Sequence, residues 1–293
     1  MSDANFSTEM NSTINLMGWN VRAGGFHAYD PALTTPERGE ALRVCIEEQH
    51  ASGVDTVCLC DAYRWDEVYG DDAGIARHLG YASARFVRLN DARLNENNGE
   101  GVGIALATER GIQQTKELDL ATRKGLGVVL DIGRYGLQVA VVYLDDLRES
   151  TRLEQVRALP AALEKNVPTI VIGDFNALRP SVHDVGPSVR AGDIATRALA
   201  RLLPKRTLLG RTVAEINQRE VVPLIESFGF IDADGRRKRP TAPAFLPILG
   251  IDLAFHTPDV QIDDFRVLPI RRASDHRPLA LRATVLDKQG GSD

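Results

Sequence analysis

Residues 167–179, V-P-T-I-V-I-G-D-F-N-A-L-R, constrain the fold more than any other stretch of the 293-residue chain. Thr169, Ile170, Val171 and Ile172 form a short, β-branched and largely apolar run, the composition of a strand buried on both faces. Gly173 lets the backbone bend, and Asp174 and Asn176 follow at the carboxyl end, where a sheet presents polar chemistry. Spaced two apart, Asp174 and Asn176 point the same way in extended chain while Phe175 turns to the core. A carboxylate and an amide aimed together suit a water or a metal-bound oxygen. Taken alone, however, G-D-x-N reads first as an Asx turn after a strand.

The order of the other segments says what such a strand belongs to. Residues 14–20 form the first strand candidate, ending in Gly18-Trp19-Asn20. A helix opens at Pro36 with Thr35 as its N-cap, carries Leu42, Cys45, Ile46 and Gln49 at helical period, and stops at Gly53. Residues 54–60 read as a buried strand ending at Asp61, and 71–79 as a helix with Asp71 or Asp72 near its start. Segments 82–90, 101–109, 126–132 and 137–144 read as strands, parted by turn signals at 95–101, 123–125 and 133–136. Helices are expected over 147–165, 192–203 and 212–228, with Pro223 set to break or kink the last. Strands at 251–256, 264–268 and 277–285 complete the chain. Hairpins mixed with helical crossovers predict a mixed sheet or a pair of sheets, a layered α+β sandwich. One domain is expected over residues 14–286, with 1–13 disordered and 287–293 a mobile tail.

Composition works mainly by exclusion. A formal net charge of −5 gives no general pull toward nucleic acid or anionic membrane, although a local basic groove would escape that average. No window approaches the length of a membrane span, and the first residues lack a basic segment followed by an apolar run, so a cytoplasmic protein is expected. Cys45, Cys58 and Cys60 are odd in number, and Cys58 and Cys60 share one face of one strand. That is a poor geometry for a disulfide, so reduced, buried thiols are expected.

Acids and amides recur at strand ends: Asn20, Asp61, Asp174, Asn176 and Asp252, then Ser274-Asp275-His276-Arg277-Pro278. Carboxylates gathered at one edge of a sheet repel one another unless a cation sits among them. An oxygen-rich set with one histidine suits a hard divalent ion, Mg²⁺ or Mn²⁺, better than zinc. On W-N-V (19–21), G-D-F-N (173–176), I-D-L-A-F (251–255) and S-D-H-R-P-L (274–279), the chain resembles the endonuclease/exonuclease/phosphatase superfamily. G-V-G-I-A-L-A-T (101–108), G-F-I-D-A-D (229–234) and R-P-T-A-P (239–243) support the resemblance, which runs from about 14 to 285.

The resemblance implies a pancreatic-deoxyribonuclease type of fold, an α+β, four-layer α/β/β/α sandwich of two packed mixed β-sheets flanked by helices, and metal-dependent hydrolysis of a phosphate ester. It places Asn20, Asp61 and Asp275 at the metal, and Asp174 where a carboxylate orients or deprotonates the attacking water. Asn176 falls where an amide contacts the phosphate, and His276 where an imidazole hydrogen-bonds it, with Asp252 as the acid partnered to that imidazole. Tyr143 falls where members carry histidine or tyrosine, a position from which a phenol donates to a phosphate oxygen. One position departs from the pattern: Asp61 replaces the family's glutamate and Cys60 the glutamine before it. Aspartate keeps the charge on a shorter stem, which implies weaker metal affinity or a changed preference. Cys60 reads as a core cysteine. The run Arg236-Arg237-Lys238-Arg239 reads as a solvated loop, or with Arg271 and Arg272 as a device that gathers an anionic substrate.

Three functional classes follow. The first is a metal-dependent phosphodiesterase or phosphatase acting as a monomer on a small or lipid-like phosphate ester. The second is a nuclease of the same fold, and the third a non-catalytic phosphate-binding relative. Specificity is expected in the loops at 22–35, 92–100 and 179–192.

Overall fold

The structure is a computed structural model that describes residues 12–21, 36–89, 101–133, 135–180, 215, 218–235, 239–244, 247, 249–270 and 273–287. In chain order it runs β1 (Thr13–Asn20), α1 (Pro36–Ala51), β2 (Thr56–Cys60), α2 (Trp65–Tyr69), α3 (Asp72–Leu79), β3 (Ser83–Arg88) and β4 (Gly103–Thr108). Then come β5 (Ile112–Leu120), β6 (Arg123–Ile132), β7 (Tyr135–Tyr143), α4 (Glu149–Ala162) and β8 (Thr169–Asp174). The chain closes with α5 (Val221–Ser227), β9 (Ile231–Asp232), β10 (Asp252–His256), β11 (Val260–Val267) and β12 (Leu279–Val285). The strands form two six-stranded sheets, ordered β11-β12-β1-β2-β4-β3 and β5-β6-β7-β8-β10-β9.

Each sheet is mixed because each contains one parallel pair, β1 with β2 and β7 with β8. Parallel neighbours need a crossover, and α1 and α4 supply the two. The sheets pack face to face over a shared apolar core that includes Ile14, Leu16, Cys58, Leu106, Val128, Val139, Ile172 and Leu281. Outside the first sheet, Met17, Trp19, Val57 and Leu59 pack against Leu42 and Ile46 of α1 and Ile75 and Leu79 of α3. Outside the second, Val171, Phe175 and Phe255 pack against Val156 and Leu159 of α4 and Val221 and Ile225 of α5. This is the α/β/β/α sandwich the sequence predicts. At roughly 1.5–3 kcal/mol for each fully buried large apolar side chain, these three layers of contact dominate the favourable side of folding.

Several expectations shift. The turn expected at 123–125 lies at Ala121 and Thr122, so β6 begins at Arg123. The strand β5, absent from the expected set, precedes that turn; its exposed positions carry Gln113, Gln114, Thr115 and Glu117, which leave no apolar run to detect. The short helix α2 is also absent from that set. Its five residues include only one buried side chain, Trp65. Pro223 does not break a helix, because α5 starts at Val221 and places the proline in the first turn, where no intrahelical donor is needed. Asp71 is the N-cap of α3, accepting the Gly74 amide at 2.9 Å. The expected helix at 192–203, residues 1–11 of the expected disordered start and most of the 287–293 tail lie outside the described residues, while Thr13, expected in that start, already belongs to β1.

Two glycines allow the sheets and strands to approach where the polar end of the sandwich begins. A Cβ on Gly18 would stand 2.7 Å from the Ile172 side chain in the facing sheet. A Cβ on Gly173, whose φ is 149°, would stand 1.9 Å from the Val142 carbonyl oxygen. Gly18→Ala is therefore expected to cost about 1–3 kcal/mol through overpacking against a side chain that can yield. Gly173→Ala should cost more, because its obstacle is backbone; urea unfolding of both variants against wild type checks the order.

Candidate active site

The inter-sheet core turns polar at one end. In the second sheet Tyr143, Asp174 and Asp252 stand in one cross-strand row, Tyr143 paired with Asp174 and Asp174 with Asp252. They continue the face carried two residues earlier by Val141 and Ile172, and two residues later by Ala254, all in the apolar core between the sheets. In the first sheet Asn20 pairs with Cys60 on the corresponding inward face. Strand alternation and register thus deliver five side chains of four chemical kinds to one edge of the sandwich.

Asp174 is the centre of the group. Its Oδ2 accepts the Asn20 amide at 2.9 Å, and its Oδ1 accepts the backbone N–H of Asn176 at 2.8 Å. Burial, then the charge of Asp252, raises its pKa to about 7, against the pull of His276 and the two hydrogen bonds. Asp252 Oδ2 lies 2.8 Å from Nδ1 of His276, whose side chain is 12% exposed. Burial pulls the imidazole's pKa down, but the charge and hydrogen bond of Asp252, helped by Asp174 and Asp275, win and raise it to about 10.

The loop that carries His276 is fixed by its backbone. The Trp19 indole donates to the His276 carbonyl at 2.9 Å, and Ser274 Oγ donates to the Asn20 carbonyl at 2.6 Å and accepts the His276 N–H at 3.1 Å. Trp19 is buried and also anchors the loop. Sequence reasoning gives Ser274 no role, although its place directly before Asp275-His276 is the available signal.

Not every expectation keeps its form. Asn176 is not in extended chain; its φ is 48°, and the Asx turn and the site residue are one feature. Its Nδ2 donates to the Leu144 carbonyl at 3.1 Å. Cys60 is buried, donates to the Val142 carbonyl at 3.2 Å, and has its thiol pKa pushed well up by burial and then by the neighbouring acids. Among the described residues, the acid–histidine group compact enough for a metal is Asp174, Asp252 and His276, with ligand atoms all within 4.8 Å of one another. Asp61 and Asp275, expected at the metal, stand outside that triplet. They border it: the charge of Asp61 acts on Tyr143 and that of Asp275 on His276.

Tyr143 has its pKa raised well above 10, first by burial and then by Asp61, Asp146 and Asp174, so the phenol is held as a donor. Arg239 is engaged within the protein, with Nε 3.3 Å from Asp234, a hydrogen bond to the Phe265 carbonyl, and its guanidinium over the Phe265 ring. Arg271, and Arg236 to Lys238 of the basic run, lie outside the described residues. The donor set fits a divalent cation: two buried carboxylates face each other across neighbouring strands, and Asp252 Oδ1 is buried with no hydrogen-bond partner among the described residues.

Two packed mixed sheets with carboxylates, amides and one acid-paired histidine gathered at one end make the sandwich of a family whose members include hydrolases acting on phosphate esters. Residues 17–276 match the Endonuclease/Exonuclease/phosphatase family, and the chain belongs to that family. Among solved structures it is similar to an endonuclease/exonuclease/phosphatase family protein from Bacteroides thetaiotaomicron, at 12% identity and a TM-score of 0.62, covering 94% of this chain and 98% of the other. A mannosyl-6-phosphatase from the same organism is 13% identical with a TM-score of 0.60, covering 92% and 99%. An AP endonuclease from Archaeoglobus fulgidus is 17% identical with a TM-score of 0.60, covering 93% and 99%. No curated protein matches the sequence.

Because the His276 pKa is raised, the pair stabilises the fold fully below the ordinary value of 6.5, and that contribution fades as pH rises through about 10. Asp252→Asn removes the main support, leaving burial opposed by the charges of Asp174 and Asp275. The His276 ring resonance, followed by NMR, should titrate near 10 in the wild type and at clearly lower pH in the variant.

Proposed function

We propose that the chain is a divalent-metal-dependent phosphoesterase, a phosphodiesterase or phosphatase that hydrolyses its ester by direct attack of water. The observation that carries this reading is the buried Asp174–Asp252–His276 group, in which one carboxylate is poised near neutrality beside an imidazole held protonated.

The division of labour follows from those environments. Asp174, with a pKa of about 7, is ionised for half or more of the molecules at and above neutral pH, and accepts a proton from the attacking water. His276, fixed at Nδ1 by Asp252, presents its Nε2–H as a charged donor to a phosphate oxygen. Tyr143 adds a neutral donor from the adjacent strand, and Asn176 contacts the phosphate beside it. Asn20 holds the Asp174 carboxylate in place. Asp61, Asn20 and Asp275, at the border of the Asp174–Asp252–His276 group, would hold Mg²⁺ or Mn²⁺ with Asp252 Oδ1 as a further oxygen ligand, and the ion when bound supplies positive charge against the charge that builds on the phosphate. The products are an alcohol with a phosphomonoester, or with inorganic phosphate when the substrate is itself a monoester.

A small or lipid-like phosphate ester suits a chain whose formal net charge is −5, since nothing in that balance draws a polyanion. Cys58 and Cys60, buried and outside any disulfide, support a reducing, cytoplasmic setting, and we read the protein as a monomer. No described helix is long and apolar enough to cross a membrane.

A panel of bis-p-nitrophenyl phosphate, p-nitrophenyl phosphate, phospholipid and plasmid DNA, each with Mg²⁺, Mn²⁺ or chelator, tests the reading. Turnover of an ester that chelator abolishes is expected. Cleavage of DNA alone would make the chain a nuclease, and silence with phosphate still bound a non-catalytic relative. Asp174→Asn and His276→Ala should each lower kcat by about 10²–10⁴-fold. With a base near 7 and an acid near 10, kcat should rise through the first value, hold, and fall through the second in a pH profile. Asp61→Asn should raise the Mg²⁺ concentration needed for half-maximal rate, and a wild-type metal requirement in that variant would remove Asp61 from the metal site.

A further inference from the structure

Arg123 is buried, 3% exposed, at the first position of β6, and has no part in the proposed chemistry. Its guanidinium carbon lies 5.1 Å from the centre of the Tyr143 ring, over the face of the phenol. Nη1 donates to the Leu144 carbonyl at 2.8 Å and, more weakly, to the Tyr143 carbonyl at 3.4 Å, and Nη2 lies 3.2 Å from Asp146. The Leu144 carbonyl also accepts the Asn176 side-chain amide. One guanidinium therefore lies on the ring of one phosphate-facing residue and shares a carbonyl with the amide of another.

The surroundings hold that guanidinium still. Thr122, next to Arg123, accepts Gln155 Nε2 at 2.8 Å, while Gln155 Oε1 accepts the Asp145 N–H at 2.9 Å. Arg152 Nη1 donates to the Asp145 carbonyl at 2.9 Å, and Asp145 Oδ1 accepts the N–H groups of Leu147 and Arg148. The β5–β6 turn and the segment after β7 are thus tied to α4 through polar bonds, of which those of the Asp145 backbone to Gln155 and Arg152 are buried. The buried ones are strong because water is excluded from them.

We propose that Arg123 is a positioning residue for the phosphate-facing side chains Tyr143 and Asn176, fixing the ring by stacking and the amide through the Leu144 carbonyl. The proposal rests on the phosphoesterase reading of the site. A planar, always-charged fork suits this position because it stacks on the ring and donates to the carbonyl together, whereas lysine offers a point charge without a face.

The test uses Arg123→Met and Arg123→Lys in the full chain, with thermal unfolding to confirm that each is folded. Arg123→Met should lose about 100-fold in kcat, the scale expected when a reacting group is misplaced by an ångström, and Arg123→Lys should fall between it and wild type. Tyr143→Phe should lower kcat in the wild type yet change it by less than about 3-fold in the Arg123→Met background. Multiplying effects in that cycle would reduce Arg123 to a packing residue and overturn the proposal. The NMR resonances of the Asn176 side-chain amide read the same geometry without turnover. They should shift and exchange faster with water in Arg123→Met, and unchanged resonances would overturn the proposal. If wild type hydrolyses no ester, the phosphoesterase reading falls by itself, while the amide resonances still decide whether Arg123 sets the geometry.

Discussion

Two carboxylates held opposite each other on neighbouring buried strands are the constraint on which the rest of the structure depends. Asp174 and Asp252 are directly paired in the β8–β10 ladder, so backbone hydrogen bonds fix their approach regardless of their charges. In a region of low dielectric such a pair cannot carry two full negative charges without compensation. The protein answers with His276 on one acid and with Asn20 and the Asn176 backbone on the other. These partners come from β1, from the end of β8 and from the loop before β12, which ties chain termini and middle together. The electrostatic demand thus becomes a topological one: β12 must lie beside β1, as it does, for the histidine to arrive.

The sandwich makes that arrival possible by bringing the two sheets close at one place. Gly18 and Gly173 remove the side chains that would hold β1 and β8 apart or push β7 and β8 out of register. Both are followed within two residues by a polar group of the cluster, Asn20 and Asp174 respectively. Close backbone approach and polar chemistry are neighbours in sequence because they are the same requirement met in two ways. The aligned apolar rows beneath the site exclude water from its floor, which is why hydrogen bonds and charge pairs there have large effects on proton affinity.

Much of this is legible in the sequence. The β-branched run ending in Gly173-Asp174 marks β8, and the strand-end acids mark residues that the fold brings to one edge. Two kinds of information are out of reach. Where a single turn aims its side chain is one: the Asx turn read from G-D-x-N is present, but only the structure shows that the left-handed backbone of Asn176 directs its amide to Leu144. Long-range pairing of polar side chains is the other. Arg123 reads as part of a turn signal, and only the placement of β7 beside β6 puts it on Tyr143. Asp61 is visible as an acid at a strand end, but where it aims its carboxylate depends on a backbone with φ of 58°.

The strand that the sequence conceals has its own significance. β5 is the outer strand of its sheet, and one of its backbone edges has no neighbouring strand among the described residues. An outer strand made of valine and isoleucine would be easy to recognise, and equally easy for another chain to extend into a shared, growing sheet. The glutamines, lysine and acids of β5, with Lys116 tied to Glu164, make that edge a poor template. The feature that hides this strand from pattern reading is the same one that guards the protein against self-association into fibrils.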